Sequence, residues 1–353
     1  MLSLNSLAWL AIAPCSILGA SITPRDGSDF DVKSLSLREV GARNTLDWRM
    51  WLEKDGNPIS FWHDIPLYPN KTDDSIVHFY VEIPRWTDAK IETKRDEPLN
   101  PIFHDDKKKK PRFVASVWPH RSYPFLYGSF PQTWENSNVK HNISGLPGDN
   151  DPMDVFDISG LDPGYVGQVR KVKVLGGLAM IDDGTTDWKA IVINVDDPLS
   201  KVVNSVEDLE KYRPGLKKQF YDWFTVSPAL PPSPAFSDRE SQYYKVVKGD
   251  GLNTIVGKDY KDAAYMREAI AESHGFWQDL ILGKEKHDKI STRQTSNPRA
   301  CKSYIPSKNA TKEFNIPERS NVLPPAAKPK QYDYWYYLDK DFNVIPGQVI
   351  DVQ

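Results

Sequence analysis

The sequence predicts a mainly β chain with helices flanking the strands, and four stretches support that prediction. Residues 77–83 alternate between apolar side chains and polar or aromatic ones, which indicates a half-buried strand. Residues 167–181, interrupted by a glycine pair, and residues 188–195 read as two strands joined by a short turn, which is typical of a hairpin. Residues 262–282 have the apolar spacing of a helix.

Two helices are expected after these strands. Ser205 is followed three residues later by Asp208, which is the spacing of a capping box, and the helix that begins there stops before Pro214. The second helix, over residues 262–282, carries its apolar stripe at Met266, Ile270, Trp277 and Ile281.

Composition excludes several protein classes. The 353 residues are 39% hydrophobic, 26% charged and 12% aromatic, which is the composition of a globular chain and not of a disordered one. A mean hydropathy of −0.55 excludes a multi-span membrane protein. The net charge of −3 gives no drive toward nucleic acid, and two cysteines exclude a zinc ribbon or a disulfide scaffold. Neither a nucleic-acid partner nor a membrane is expected, and the lysine run 107–110 is interpreted as a solvated loop rather than an anion site.

The N-terminus predicts a secretory signal peptide. Residues 1–24 carry no charged side chain, and the apolar run 7–20 has the length of a signal-peptide core rather than a membrane span. Residues 1–20 are therefore expected to be cleaved, and the protein to be secreted or to stay in the secretory pathway. The alternative is a misassigned start codon, which would leave the protein cytoplasmic. Three glycosylation sequons permit secretion without proving it: Asn70, Asn142 and Asn309.

The densest chemical signal is three acids within six residues. Asp149 and Asp151 would lie on one side of an extended segment, and Pro152 turns the chain so that Asp154 can converge with them. Clustered carboxylates repel unless a cation neutralises them, and oxygen-only ligands suit Mg²⁺ or Ca²⁺. The spacing excludes an EF-hand loop. A metal site and a plain acidic turn both remain open on spacing alone.

The hairpin and an earlier segment add to this cluster. Asp182 and Asp187 occupy the two ends of one turn, with Lys189 on the same face as Asp187. Lys90 and Glu92 share a face of the chain, shortly after Glu82 in the first strand. Further along the sequence, Arg112, Tyr123 and Tyr127 have side chains suited to contact phosphate oxygens or a leaving group. Acids that collect metal beside cations that bind phosphate oxygens are what phosphoryl transfer requires.

Four motifs together resemble the soluble family I inorganic pyrophosphatases of eukaryotic type: Glu82-Ile-Pro-Arg-Trp-Thr-Asp-Ala-Lys-Ile-Glu92, Phe130-Pro-Gln-Thr-Trp-Glu135, Gly148-Asp-Asn-Asp-Pro-Met-Asp154 and Asp182-Asp-Gly-Thr-Thr-Asp-Trp-Lys189. The resemblance covers about residues 38–285. It implies a distorted five-stranded OB-like β-barrel with flanking helices, Mg²⁺-dependent hydrolysis of pyrophosphate to two phosphates, and a homodimer that uses the region of Arg85 and Trp86.

The resemblance also implies roles for individual residues. The metal ligands it implies are Asp149, Asp154, Asp187, Asp182, Asp151, Glu92 and Glu82. It implies that Asp151 takes the proton of the attacking water and that Tyr123 donates one. The pyrophosphate contacts it implies are Lys90, Arg112, Tyr127, Lys189, Tyr244 and Lys245.

The chain is expected to have three further parts. Residues 21–40 are polar and predict a loose extension. The resemblance implies a catalytic domain at 41–290, and residues 291–353 are expected to pack on the domain or on the dimer interface.

The sequence departs from the family pattern at two places. Pro124 follows Tyr123 and restricts its backbone. Residues 226–242 form a Pro-rich insertion of 17 residues, whose removal would bring Tyr244 and Lys245 back into register. A retained intron would explain this insertion. A true surface loop would explain it equally, because closing a long loop costs little conformational entropy.

Three functional classes follow: an active pyrophosphatase, a catalytically weakened relative that binds metal or partners, and an OB-like nucleic-acid module. The last would need a basic, aromatic-studded face, whereas the informative positions are acidic.

Overall fold

The computed structural model describes residues 30–160, 162–224, 254–285, 287–339 and 344–345. The predicted signal peptide, the insertion 226–242, and Tyr244 and Lys245 lie outside the described residues. None of the described helices is long and apolar enough to cross a membrane.

Five strands close into a barrel. They are β4 (Ile76–Ile83), β10 (Leu126–Ser129), β11 (Asp154–Asp157), β12 (Val169–Asp182) and β13 (Thr185–Asn194). β12 pairs antiparallel with β4 and β13, and β10 pairs antiparallel with β4 and β11. The parallel pairing of β11 with β13 completes the ring. Because each of the five strands has two neighbours within the ring, none is left with an open edge.

Strand β4 is buried on both faces, so the prediction of a half-buried strand was wrong. Val77, Phe79 and Val81 enter one apolar cluster, whereas Tyr80 and Ile83 enter another. The alternation in the sequence reflects two different buried environments, because neighbouring elements cover both sides of the strand.

The hairpin is confirmed, with its turn at Asp183-Gly184 between β12 and β13. Both turn residues have positive φ (47° and 82°), which is the geometry that a two-residue hairpin turn favours.

The glycine pair does not interrupt β12. It lies just after a bulge, and a Cβ on Gly177 would lie 2.9 Å from the sulfur of Met266. The pair therefore lets a helix pack closely on the strand.

Both predicted helices are confirmed. Ser205 caps a 3₁₀ turn through a capping box with Asp208, and this turn leads into helix α1 (Leu209–Tyr212). α2 (Leu216–Phe224) follows. α3 (Ala263–Ile281) begins at its cap Asp262, and the four stripe residues predicted for it are buried.

A second sheet is formed by strands that lie before, between and after the barrel strands in the chain. Its strands are β1 (Leu35–Ala42), β2 (Arg49–Lys54), β3 (Asn57–Ile59), β5 (Ile91–Thr93), β6 (Ile102–His104) and β16 (Asn321–Leu323). β1 pairs with β2 and, in parallel, with β16. The expectation of a loose segment over residues 21–40 was therefore wrong from Leu35 onward, because partners distant in sequence order this strand.

The remaining elements are short. They are β7 (Asp106–Lys107), β8 (Lys110–Pro111), β9 (Ser116–Val117), β14 (Thr254–Ile255), β15 (Lys261–Asp262), β17 (Trp335–Tyr336), α4 (Ser307–Glu313) and the 3₁₀ turns Val32–Ser34, Pro198–Lys201, Val206–Asp208, Val256–Lys258 and Lys330–Tyr332. β17 pairs with β9 and α4 packs beside β3, so parts of the C-terminal extension contact the domain.

Candidate active site

A polar cavity of about 450 Å³ lies where barrel strands β4, β10, β11 and β13 meet β5 and α2. All twelve predicted site residues that the structure describes line it: Glu82, Lys90, Glu92, Arg112, Tyr123, Tyr127, Asp149, Asp151, Asp154, Asp182, Asp187 and Lys189. The motifs are spread over more than 100 residues of sequence, and the barrel brings them to one place.

Lys189 links two of the acids. Its ammonium donates to carboxylate oxygens of Asp154 and Asp187, and only 4% of the side chain is exposed. Strand pairing explains the contact, because Asp154 is the register partner of Lys189 and Asp187 lies two residues earlier on the same face. Burial disfavours the charged ammonium, but the two carboxylates outweigh it and raise the pKa of Lys189 well above its ordinary value.

The acidic motif is a tight loop. Asn150 has a φ of 80°, and the backbone N–H of Asp151 donates to Oδ1 of Asp149 at 3.0 Å. The Asn150 side chain is anchored at both ends, by Trp134 Nε1 at 2.9 Å and by the carbonyl of Asp288 at 2.9 Å. The loop therefore presents its flanking carboxylates to the cavity while the amide between them holds the backbone in place.

Gly148 is required at the start of this loop. A Cβ at this position would lie 2.3 Å from the carbonyl carbon of Glu135. Only a residue without a side chain permits that approach.

Glu135 is a candidate site residue for which no role was predicted from the sequence. Its carboxylate lies with those of Asp149 and Asp187 in a group whose oxygens are all within 4.8 Å, which is compact enough for one metal ion. Glu135 is 1% exposed, and its Oε1 accepts a hydrogen bond from the Trp188 N–H at 2.8 Å. Burial, followed by the charges of Asp149 and Asp187, raises the pKa of Glu135 well above its usual range. Glu135 ends the motif Phe130–Glu135, and this position was the sequence feature that could have indicated a functional role.

Arg95 was also missed. Its Nη1 donates to Oδ1 of Asp151 at 2.9 Å. Burial raises the pKa of Asp151 to about 6, and Arg95 opposes that rise. The backbone carbonyl of Arg95 accepts from Asn100 Nδ2 at 3.2 Å and from the Ser291 N–H at 2.7 Å, so the segment that carries the guanidinium is held in place.

Glu82 lies deeper in the barrel. It accepts hydrogen bonds from the N–H and hydroxyl of Thr93 at 2.8 and 2.6 Å. Burial raises its pKa to about 8, so at neutral pH much of this carboxyl is protonated.

A cation and two tyrosines lie beside the acids. Lys90 pairs with Glu92 at 2.6 Å, and its Nζ lies 4.7 Å from the ring centroid of Tyr127. The Tyr127 hydroxyl donates to Oδ1 of Asp154 at 2.8 Å, and its ring stacks on Tyr123 at 5.3 Å. These contacts fix the positions of both phenol groups.

Comparison with known proteins agrees with this geometry. The family model described as inorganic pyrophosphatase matches residues 79–278. The inorganic pyrophosphatase of Yarrowia lipolytica is 41% identical over 308 residues, which are 87% of this chain and 98% of the relative. The chain belongs to the inorganic pyrophosphatase family.

Other members give the same result. The inorganic pyrophosphatase of Schizosaccharomyces pombe is 40% identical over 302 residues, covering 85% of this chain and 96% of the relative. The solved structure of the Schistosoma japonicum inorganic pyrophosphatase superposes with a TM-score of 0.74 at 33% identity, covering 86% of this chain and all of that one. The five-stranded OB-like barrel that the resemblance implied is confirmed by the closed ring of strands.

The first departure from the family pattern leaves the site intact. Pro124 follows Tyr123, yet the Tyr123 side chain still lines the cavity. Its carbonyl accepts from the Trp86 N–H at 2.8 Å, and burial raises the pKa of its hydroxyl. The restriction that Pro124 imposes is therefore compatible with the predicted place of Tyr123.

The two predicted interface residues differ in exposure. Trp86 is 55% exposed, whereas the Arg85 guanidinium turns inward and donates to the carbonyl of Ser159. The guanidinium carbon also lies 5.5 Å from the Trp86 ring centroid. Arg85 thus supports the exposed indole from beneath.

Proposed function

We propose that this protein hydrolyses inorganic pyrophosphate to two phosphate ions with Mg²⁺ as its cofactor. The observation that carries the proposal is a single cavity in which carboxylates outnumber cations but both are present. Its acids are Glu82, Glu92, Asp149, Asp151, Asp154, Asp182, Asp183 and Asp187, and its cations are Lys90, Lys107, Arg112 and Lys189. Membership of the family supports the same activity.

The residues fit a divalent metal ion. Glu135, Asp149 and Asp187 offer a compact set of oxygen ligands, and Asp154 and Asp182 lie in the same cavity. Burial, together with repulsion from neighbouring acids, raises the pKa of Asp149 well above its ordinary value, so the group gains from an added positive charge. Oxygen-only ligands suit hard divalent ions such as Mg²⁺ and Ca²⁺, and the resemblance to the family favours Mg²⁺ between them. When bound, the metal would lower the pKa of coordinated water and neutralise charge on the phosphate oxygens.

The side chains of this protein supply the remaining chemistry. Asp151 would accept a proton from the attacking water while Arg95 keeps its carboxylate in position. Lys90, Arg112 and Lys189 would bind phosphate oxygens and spread the charge that develops on the leaving phosphate.

Hydroxyl groups complete the set. Tyr127 is oriented by Asp154, and the hydroxyl of Tyr123, held protonated by burial, would supply a proton to the leaving group. We assign further phosphate contacts to Tyr244 and Lys245 by the resemblance alone.

Phosphate release from pyrophosphate tests the proposal. The full chain should release phosphate rapidly with excess Mg²⁺ and not with EDTA, and Asp151→Asn should abolish the reaction. Asp279→Asn is the matched control, since this acid pairs with Lys284 on the surface of α3 and should leave the rate unchanged. Failure of the chain to release phosphate, both as written and with residues 226–242 deleted, would refute the proposed activity.

We further propose secretion and a homodimer. The uncharged leader supports entry into the secretory pathway, and N-terminal sequencing of the mature protein tests it. Exposed aromatic side chains at Trp86 and Trp118 (55% and 57%) support a self-association surface. Light scattering should give twice the chain mass for the wild type and the monomer mass for Trp86→Ser, and a monomeric wild type would exclude the dimer.

A further inference from the structure

A short segment after helix α3, the bracket segment (residues 288–296), contacts the support of the proposed base at two points. The carbonyl of Asp288 accepts from Asn150 Nδ2 at 2.9 Å, so the bracket segment anchors the acidic loop. The N–H of Ser291 donates to the carbonyl of Arg95 at 2.7 Å, and the guanidinium of Arg95 pairs with the proposed base. One segment therefore holds both the backbone that carries the base and the cation that orients it.

A buried amide joins Arg95 to the bracket segment. Nδ2 of Asn100 donates to the carbonyls of Arg95 and Ser291, at 3.2 and 3.1 Å. Oδ1 of Asn100 accepts from the Ser60 hydroxyl at 2.8 Å, which fixes the amide with its nitrogen toward the two carbonyls. Asn100 is fully buried and has a φ of 43°, a backbone conformation that Asn adopts more readily than most residues. Both contacts of the amide nitrogen thus lie at one junction, where the two segments meet.

A neutral imidazole holds the same junction. His63 Nδ1 accepts from Trp277 Nε1 at 3.0 Å, so the ring proton is on Nε2, which donates to the Ser291 carbonyl at 3.0 Å. Burial lowers the pKa of His63 to about 3, so the ring stays neutral at the pH of the proposed reaction. The Ser291 carbonyl therefore receives two donors, which fix the bracket segment at this point.

The far end of the bracket segment is tied to the same network by Asp64. The Asp64 carboxylate accepts from the N–H groups of Thr295 and Ser296, at 2.7 and 2.9 Å, and from the Thr295 hydroxyl at 3.0 Å. It also accepts from the N–H of Ser60 at 2.8 Å, and the Ser60 hydroxyl is the group that fixes the Asn100 amide. The network is therefore continuous from the end of the bracket segment to the junction.

Arg95 depends on this support because its side chain is partly open to solvent. The Arg95 and Asp151 side chains are 39% and 43% exposed, and an ion pair this exposed does little by itself to restrict a long side chain. Where the guanidinium lies is therefore set largely by where the backbone of residue 95 is held. We propose that Asn100 is a positioning residue for hydrolysis, which joins Arg95 to the bracket segment and so keeps Asp151 in place. The inference rests on the proposed pyrophosphatase activity.

A glycine substitution removes the amide and keeps the backbone. Asn100→Gly is compatible with the positive φ, because Gly adopts this conformation without strain. Asn44→Gly is the matched control. Asn44 also has a positive φ (66°), and its Nδ2 donates to a carbonyl of the C-terminal extension, that of Ala326 at 2.8 Å, but it lies between β1 and β2 rather than at the junction.

Both variants are made in the full chain, alone and combined with Arg95→Gln. Steady-state phosphate release from pyrophosphate in excess Mg²⁺ gives kcat and KM, and a thermal scan shows that each variant is folded.

We expect Asn100→Gly to lower kcat about fivefold while KM changes by less than about twofold, and Asn44→Gly to leave kcat unchanged. In the Arg95→Gln background, Asn100→Gly should lower kcat by less than about 1.5-fold, because the two residues act as one unit. An unchanged kcat in folded Asn100→Gly would overturn the inference. Losses that multiply in the double variant would overturn it too, since they would mean that the amide acts independently of Arg95.

Ser60→Ala keeps the inference testable if Asn100→Gly does not fold. It removes only the hydroxyl that fixes the Asn100 amide, so it should lower kcat about two- to threefold and cause no further loss in the Arg95→Gln background. A wild-type kcat for this variant would then overturn the inference. Failure of the proposed activity is distinguishable, because it appears as a wild-type chain that releases no phosphate from pyrophosphate.

Discussion

Replacing Lys189 by Met is the sharpest test of how the site is held together. The substitution keeps much of the side-chain volume but removes a buried positive charge that contacts both Asp154 and Asp187. Breaking a buried ion pair by removing one partner costs about 3–5 kcal/mol, because the remaining charge is left uncompensated. Since domains of this kind are stable by only about 5–15 kcal/mol, the loss should be large and measurable.

The pH dependence gives this prediction a second signature. With Lys189 present, burial raises the pKa of Asp187 to about 7, far above its value of about 3.9 in an unfolded chain. Protonation of Asp187 therefore favours the fold at low pH, and this contribution is lost as pH rises through 7. Without Lys189 the folded pKa moves higher still, so the deficit of the variant should be smaller at pH 5 than at pH 8.

Urea unfolding in EDTA measures both quantities. Lys171→Met, at an exposed position of β12, is the matched control and should lose little stability. A loss below about 1 kcal/mol for Lys189→Met at pH 8 would refute the reasoning, because that is the range of a surface ion pair. A deficit of the same size at pH 5 and pH 8 would refute the electrostatic part of it.

Three further predictions concern residues around the acidic loop. Arg95→Gln should lower kcat about tenfold with little change in KM, because the ion pair with Arg95 positions Asp151. Arg95→Lys should recover most of the lost kcat. Steady-state kinetics measure both effects, and a kcat for Arg95→Gln equal to that of the wild type would exclude this role. Glu135→Gln should raise the Mg²⁺ concentration for half-activation about 10- to 100-fold, as read from a metal titration, and an unchanged titration would exclude Glu135 as a ligand or ligand support. Gly148→Ala should abolish activity and lower the melting temperature in a thermal scan, because the Cβ of the alanine would collide with backbone atoms of Glu135. A variant that melts at the wild-type temperature would contradict this close approach.

Local patterns were sufficient to predict the hairpin and the helix of residues 263–281, because both depend on neighbours in sequence. They also place Asp187 and Lys189 on one face of a strand. That these two and ten other residues belong to one site was implied by the resemblance of four motifs to a known family, since local spacing alone left a plain acidic turn open.

The features that were missed depend on pairing across the chain. β1 is ordered by β16, more than 270 residues away, and no local pattern announces that partner. Glu135 becomes a metal candidate only because the barrel places it beside Asp149 and Asp187. Strand β4 looked half-buried because period-2 alternation does not reveal what covers its second face.

The parallel pairing of β11 with β13 is the contact that closes the barrel, and the same pairing sets Asp154 opposite Lys189. Closure of the fold and assembly of the site are therefore one event. A chain whose barrel is open has no site, so a divalent ion that binds the native protein should bind the unfolded chain poorly and stabilise the fold by mass action. The free concentration of the proposed metal ion should therefore affect how long the protein survives proteases, as well as how fast it hydrolyses its substrate.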